Sequence, residues 1–295
     1  MASYVQRASN SIPEFRQRYE KFSKLLTLEQ YSPGTIESYC SKVSCISLHY
    51  NKLPESLSEQ EIQDYVLLLQ SGMEDACRSR FVSLSVGLRC YYQKMGFQEK
   101  KISIPRVRSR KKLPVVLSRQ EICRLLRETE DIRLKLMLTL LYSLGLRSGE
   151  LCRLEIRDVD LDRRRVHIRQ SKGRKDRSVQ LAEISLPLIR LYLRRYRPEK
   201  YLIYSGRPTA PLQREELSVT LRNACIRINC QKHVTTHTLR HSFASHCLEM
   251  GMSILCVKEA LGHRDLKTTL MYLQIIESPE SPSFNPLDKL FSVHK

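Results

Sequence analysis

The stretch DIRLKLMLTLLYSLGLRSGEL, residues 131–151, sets the reading of this chain. Asp131 ahead of an apolar run is a helix N-cap, whose carboxylate accepts from the unpaired N–H groups of the first turn. Gly145 ends the helix, because glycine enters the left-handed conformation that closes a helical C-terminus without steric cost. The apolar run from Leu134 to Leu146 is interrupted by Lys135, Thr139, Tyr142 and Ser143. It is also too short to cross a bilayer, which takes about 20 apolar residues. The helix is therefore a core element of a folded domain. Directly after it stands Arg147, in the box GLRSGEL. Taken alone, an arginine there is a helix-end residue.

Further along, residues suited to phosphate chemistry recur in a fixed order. They are Lys172 in QSKGRKDR, His237 and Arg240 in HTLRHSF, His263 in LGH and Tyr272 in TTLMYL. A phosphodiester under attack gathers charge on its equatorial oxygens, and a guanidinium matches that geometry with paired donors. Arg147 and Arg240 are the candidates for this clamp. Lys172, crowded by other cations, is the candidate general acid for a deoxyribose leaving group. His237 and His263 can accept and donate protons near neutral pH and can hydrogen-bond a phosphate. Tyr272 is the candidate nucleophile, a phenol of pKa about 10 that forms a covalent ester once deprotonated. Such an ester keeps the energy of the broken bond, so rejoining needs no ATP. With cationic side chains neutralising the phosphate, no metal or cofactor is expected. Each residue also has an ordinary explanation: Lys172 as a solvated turn residue, His237, His241 and His246 as helix-face or core histidines, Tyr272 as packing. Those explanations predict no shared order, and the order decides between them.

The set resembles that of the tyrosine recombinases of the phage-integrase and Xer-like kind, over nearly the whole chain. That family carries an arginine in a GLR-x-x-E-L box, a lysine on a β-hairpin turn, an H-x-x-R box, an LGH box and a tyrosine about nine residues further on. The positions here are Arg147, Lys172, His237, Arg240, His263 and Tyr272, and Glu150 matches the acidic position that supports the first arginine. The resemblance implies cleavage of one DNA strand, a 3′-phosphotyrosyl intermediate with a free 5′-hydroxyl, and joining to a partner strand. It also implies a homotetramer on two duplex sites, assembled from copies that are monomeric or weakly associated when free. Leu273 and Gln274 depart from the Thr-His often found after the nucleophile. Two other readings share parts of the set: a type IB topoisomerase, and a non-catalytic DNA-binding regulator. The latter has no need of Tyr272 or Lys172.

Charge is distributed unevenly. Of 50 Lys plus Arg and 31 Asp plus Glu, residues 1–100 hold 12 and 11, a balance of +1, which leaves +18 for residues 101–295. A basic excess in the half bearing the phosphate-directed set is the footprint of a polyanion binder, which the resemblance makes double-stranded DNA. No basic amphipathic helix stands apart from the fold, so a membrane surface is a poorer partner. Ten cysteines occur without a C-x-x-C pair. That usage predicts small buried hydrophobes in a reducing cytoplasm rather than disulfides or zinc.

The expected fold is mainly α (α+β), with a small antiparallel sheet. A helical DNA-clamping domain over 1–103 precedes a basic linker at 104–112 and a catalytic domain over 113–295 with a tail from 273. In the first domain, helices are predicted near 11–29, from Ser32-Pro33 to about His49, from the Ser58/Glu61 capping box to about Gln70, and over 76–95. The last carries an apolar stripe of Phe81, Leu84, Leu88, Tyr91 and Met95. Arg78, Ser85 and Arg89 lie opposite it, on what the resemblance makes a DNA-facing side. KKISIPRVRSRKK at 100–112 holds seven basic residues and no acid. Arg106, Arg108, Arg110, Lys111 and Lys112 are thus candidate phosphate contacts along an extended segment.

In the second domain a helix opens at the Ser118/Glu121 capping box. Strands at 165–170 and 178–181 flank a hairpin turn carrying Lys172, Arg174 and Lys175. A further hairpin near 203–211 is ambiguous. Helices follow near 213–230, 237–250 and 253–261, with His237 and Arg240 on one face, and Tyr272 falls in a helical segment over 266–273. In the tail, Leu287, Leu290 and Phe291 share helical spacing after a Ser-Pro stretch; the resemblance implies docking on a neighbouring subunit, and a disordered end is the ordinary alternative.

Overall fold

The computed structural model describes residues 3–71, 76–97, 99–100, 114–169 and 176–274, with the side chains of residues 70, 71 and 76–82 outside that set. The chain divides into two compact units, Met1–Ser109 and Arg110–Lys295. The boundaries drawn at 103 and 112 fall on or beside residues 101–113, which lie outside the described set. The fold is mainly α with one small antiparallel sheet.

Among the described residues the first unit holds five α-helices: α1 (Tyr4–Ser11), α2 (Phe15–Leu28), α3 (Pro33–Tyr50), α4 (Glu59–Ser71) and α5 (Ala76–Met95). Their starts follow the caps. Ser32 Oγ accepts from Thr35 N at 3.3 Å, with Pro33 opening α3. Ser58 and Glu61 exchange both capping-box bonds, at 3.1 and 2.8 Å. Leu84, Leu88 and Tyr91 of α5 are buried with Phe22, Leu26 and Ile46. Two expectations change. The helix expected near 11–29 starts later, at Phe15, and runs to Leu28; a separate helix, α1, ends at Ser11 because the chain turns at Ile12–Glu14, where Glu14 takes a left-handed conformation (φ 60°). Ser85 is buried, not DNA-facing, because α5 packs against α2, α3 and α4 and more than one stripe is covered. Arg89 is exposed, and the Arg78 side chain lies outside the described set.

Glu55, in a short 3-10 turn over Pro54–Ser56, ties this unit together. It accepts from Arg18 Nε at 2.6 Å and from the Tyr91 hydroxyl at 2.7 Å. Burial and then the neighbouring carboxylate raise the Tyr91 phenol well above its usual range.

The second unit contains α6 (Arg119–Glu128), α7 (Ile132–Ser143), α8 (Ser148–Cys152), strands β1 (Val159–Asp160), β2 (Arg165–Ile168) and β3 (Arg177–Gln180), then α9 (Leu186–Tyr196), α10 (Arg214–Arg227), α11 (Thr236–Glu249), α12 (Ile254–Leu261) and α13 (Lys267–Leu270). α7 starts where Asp131 accepts from Leu134 N at 2.6 Å. Leu134, Leu136, Met137, Leu138, Leu140 and Leu141 are all buried, because α6, α8, α9, α10 and α11 surround the helix. Each such leucine contributes about 1.5–3 kcal/mol of burial.

The strands form an antiparallel sheet in the order β1-β2-β3, with Val166 opposite Val179 and Ile168 opposite Arg177. The pairing begins at Arg177, one residue before the expected strand, and β2 ends at Ile168 instead of 170. Residues 170–175, including Lys172, Arg174 and Lys175, lie outside the described set. The ambiguous hairpin near 203–211 reduces to an isolated bridge between Tyr204 and Pro211. Tyr272 sits not in an α-helix but in a 3-10 turn, Met271–Gln274, directly after α13.

Candidate active site

Two box glycines shape the site. Gly145, at the end of α7, has φ 55°, and a Cβ there would come within 2.6 Å of Phe243 Cδ1 and 2.9 Å of Leu261 Cδ2. Glycine is thus required for both conformation and space, and the chain turns sharply into Arg147. Gly262 ends α12 in the same way, with φ 61°. Its missing side chain leaves room for Arg177, whose Nη1 and Cδ would lie 3.0 and 3.1 Å from a Cβ.

Three guanidinium groups converge between these turns. Arg147, at the start of α8, donates from Nη1 to Glu150 Oε1 at 2.7 Å and from Nη2 to the Gly262 carbonyl at 3.3 Å. Arg240, on α11, donates to the carbonyls of Gly145 and Leu261, both at 2.5 Å. Arg177, at the start of β3, reaches the Ala260 carbonyl at 2.7 Å and both oxygens of Glu150 at 2.9 and 2.8 Å. The last carbonyls of a helix lack intrahelical partners and carry partial negative charge. The end of α12 therefore takes one guanidinium on each of its carbonyls at 260, 261 and 262.

Among the described residues Glu150 is the single acid in the cluster, and its side chain is 2% exposed. Burial on its own would raise its pKa. Hydrogen bonds and charge from Arg177, then Arg147, hold it down to about 2. Arg240 also lies 3.9 Å from Glu150 Oε2. Burial, then repulsion from Arg147, lowers its guanidinium to about 9. Three cations against one carboxylate leave this cluster two positive charges in excess. That surplus matches the charge of a pentacovalent phosphate.

The imidazoles and the phenol line the same region. His263 Nδ1 is 3.0 Å from Thr269 Oγ1, and its ring is nearly parallel to that of Tyr272, at 11° with centroids 6.3 Å apart. Burial and the neighbouring arginines, Arg240 first, lower its pKa to about 3, so it is neutral at physiological pH. A neutral imidazole keeps one N–H donor and one acceptor nitrogen. Tyr272 is only 1% exposed, in a small core with Ala244, Cys247, Val257 and Leu261. Its hydroxyl lies 3.0 Å from His241 Nδ1. Burial raises the phenol's pKa, while Arg240 and Arg147 pull it back. Burial, then His237, lowers His241 to about 4.

Arg147, Glu150, Arg240, His263 and Tyr272 thus come together. His237 and Arg240 do not share an environment: His237 is exposed at the start of α11 and Arg240 is buried. Its ring centroid lies 6.2 Å from that of His241. The structure adds Arg177, His241 and Thr269 to the set. Of the three, only Arg177 had a readable signal: in a strand it shares a face with buried Val179, and a cation at a core-facing position asks for a partner. His246, the other histidine on α11, is a structural one, 2.9 Å from the Tyr142 hydroxyl. Among the described residues, no three His, Cys, Asp or Glu side chains are placed to hold a metal ion.

The phage integrase family pattern matches residues 115–278, and the phage integrase N-terminal SAM-like domain matches residues 19–84. A putative integrase/recombinase of Sinorhizobium fredii is 30% identical, over 92% of this chain and 88% of its own. The tyrosine recombinase XerA of Thermococcus kodakarensis is 34% identical, over 87% of this chain and 90% of its own. Among solved structures, an XerA recombinase superposes with a TM-score of 0.53 at 28% identity, covering 89% of this chain and 95% of that one. XerH bound to a palindromic difH substrate shares the fold, with a TM-score of 0.68 at 20% identity, over 98% of this chain and 88% of that one. The chain belongs to the phage integrase family and is a tyrosine recombinase.

Proposed function

We propose that this protein recombines DNA at specific sites, and that the three-arginine cluster around Glu150 is where it binds the scissile phosphate. The observation that carries this reading is the two-charge surplus beside a tyrosine hydroxyl. Arg147 and Arg240 hold the phosphate oxygens, and His263 adds a neutral N–H donor. The Tyr272 oxygen attacks phosphorus, its proton passing to His237, whose ring lies 6.2 Å from that of His241. The bond to the 5′-oxygen breaks as Lys172 protonates it, leaving a 3′-phosphotyrosyl link and a free 5′-hydroxyl. Reversal by another strand's 5′-hydroxyl rejoins the DNA. Fixed donors facing the developing charge supply the largest share of such catalysis.

The buried hydroxyl implies that attack is preceded by withdrawal of the Met271–Gln274 turn from its small core. Exposed apolar side chains surround this region: Met250, Met252 and Leu255 at the α11–α12 junction, with Leu270 and Leu273 beside the nucleophile. They support assembly as a homotetramer on two sites, with the tail residues Leu287, Leu290 and Phe291 of one copy docked on another. Those tail residues lie outside the described set. Arg89 and the basic stretches at 104–112 and 172–175 add phosphate contacts along the duplex, and the reaction belongs in the cytoplasm, where the DNA lies.

The test is covalent trapping on fragmented genomic DNA, followed by sequencing of the attached ends. Wild-type protein is expected to form a 3′-linked adduct, and Tyr272→Phe to bind DNA with no adduct. An adduct formed by that variant assigns the nucleophile to another tyrosine. Deleting residues 284–295 is expected to spare single-site binding and weaken synapsis; full recombination by the truncated chain excludes tail docking.

A further inference from the structure

Arg177 lies outside the six-residue family set, yet all three of its side-chain nitrogens are engaged and its side chain is 8% exposed. Its partner Glu150 receives four donors. From Arg147 come the backbone N–H on Oε2, at 2.9 Å, and Nη1 on Oε1, at 2.7 Å. From Arg177 come Nη1 on Oε1 and Nη2 on Oε2, at 2.9 and 2.8 Å. A carboxylate has about four acceptor sites, so this one is filled.

The division between the two arginines is unequal. Arg177 holds the paired, fork-to-carboxylate geometry that an arginine prefers. The Arg147 guanidinium reaches the same carboxylate through one nitrogen alone, and its Nη2 turns to the Gly262 carbonyl. If Arg177 were absent, the two oxygens would be open to the full fork of Arg147. That guanidinium would then turn onto Glu150 and away from any phosphate. Arg177 also joins two elements of the site, since it opens β3, five positions after Lys172, and its Nε caps α12 at Ala260.

We propose that Arg177 is a positioning residue for strand cleavage: it occupies the paired face of Glu150 so that Arg147 stays turned toward the scissile phosphate, and it fixes the start of β3 to the end of α12. This rests on the reading of Arg147 and Tyr272 as catalytic. An ion pair that only stabilised the fold would lower the melting temperature and leave cleavage by the folded protein unchanged.

The experiment uses the full chain and a nicked duplex carrying a site mapped by trapping the wild-type adduct, so that cleavage is irreversible. The single-turnover rate of adduct formation at saturating protein is read beside the Kd for the duplex and the melting temperature. Arg177→Met is expected to slow adduct formation about 100-fold, with Kd changed by less than about 3-fold. Arg177→Lys, which keeps the charge with a single donor, is expected to recover about 10-fold of that loss. The double variant Arg177→Met with Glu150→Gln is expected to cleave faster than Arg177→Met alone, because a neutral amide no longer captures the Arg147 fork. Wild-type cleavage by folded Arg177→Met, or a double variant slower than the single one, overturns the proposal. If Arg177→Met does not fold, Arg177→Lys decides: slower cleavage at unchanged Kd supports the proposal, and an unchanged rate overturns it. An adduct formed by Tyr272→Phe overturns the underlying site reading as well, a result that no Arg177 variant mimics.

Discussion

Each unit of this protein builds a polar network from one glutamate, arginine and a buried tyrosine, and the two networks balance differently. In the first unit Glu55 accepts from Arg18 and Tyr91, one cation to one anion, and the phenol is held by a carboxylate. In the second, Glu150 faces Arg147, Arg177 and Arg240, and the phenol of Tyr272 meets an imidazole held neutral. The neutral network is complete as it stands and locks helices together. The cationic one sets three arginines against one glutamate, and the nearby arginines draw the Tyr272 phenol back toward ionisation. The same residue types thus make a structural joint where charges match and the proposed reactive centre where they do not.

Variants at the two networks should therefore separate chemistry from stability. The largest effect is expected at Arg240. Arg240→Lys cannot reach the Gly145 and Leu261 carbonyls together, and a single-turnover assay should show cleavage reduced about 10²–10³-fold. Retention of more than a tenth of wild-type cleavage would place the clamp elsewhere.

Next comes pH. The pKa values of His263 and His241 fall from 6.5 unfolded to about 3 and about 4 folded. Between those limits the unfolded chain binds more protons, so stability is full above about pH 6.5 and is lost as pH falls. Glu150, at about 2 folded, extends the loss below pH 4.5. Melting of the second unit should drop by about 4 °C or more between pH 7 and pH 5, and His263→Gln should flatten that slope. An unchanged slope in the variant would remove His263 from the account.

Smaller still is Tyr91→Phe, which deletes one hydrogen bond to Glu55. Chemical denaturation should register a loss of about 1 kcal/mol in the first unit, with cleavage per bound molecule unaltered. A matching loss of cleavage would mean that the neutral network also serves chemistry.

The smallest effect is expected at His241→Ala. Removing the partner of the Tyr272 hydroxyl should speed adduct formation up to about 5-fold, the equivalent of one modest hydrogen bond. A fall of about 10-fold instead would make His241 the proton acceptor.

Local signals carried the fold. Caps at Ser32, Ser58, Ser118 and Asp131 started helices where they were expected, because N-cap bonds are made within a few residues of chain. The order of the boxes likewise identified Arg147, Glu150, Arg240, His263 and Tyr272 as neighbours. What escaped was tertiary. α1 and the two-residue β1 are too short to carry a strong period, and α9 begins from a 3-10 turn with no side-chain cap. Arg177 gains its meaning only when β3 lies against α12, and the burial of Tyr272 depends on side chains from α11 and α12. His241 looked like an ordinary helix histidine because its partner is 31 residues away.

Arg240 and His241 are consecutive on α11, and neighbouring side chains on a helix diverge by about 100°. One therefore points into the arginine cluster while the next holds the tyrosine. On the proposed reading, a solitary copy drifting along DNA keeps the Tyr272 hydroxyl sheathed among helices. Random encounters would then leave that DNA intact, and breakage would wait for whatever draws a short turn of chain out of its shelter.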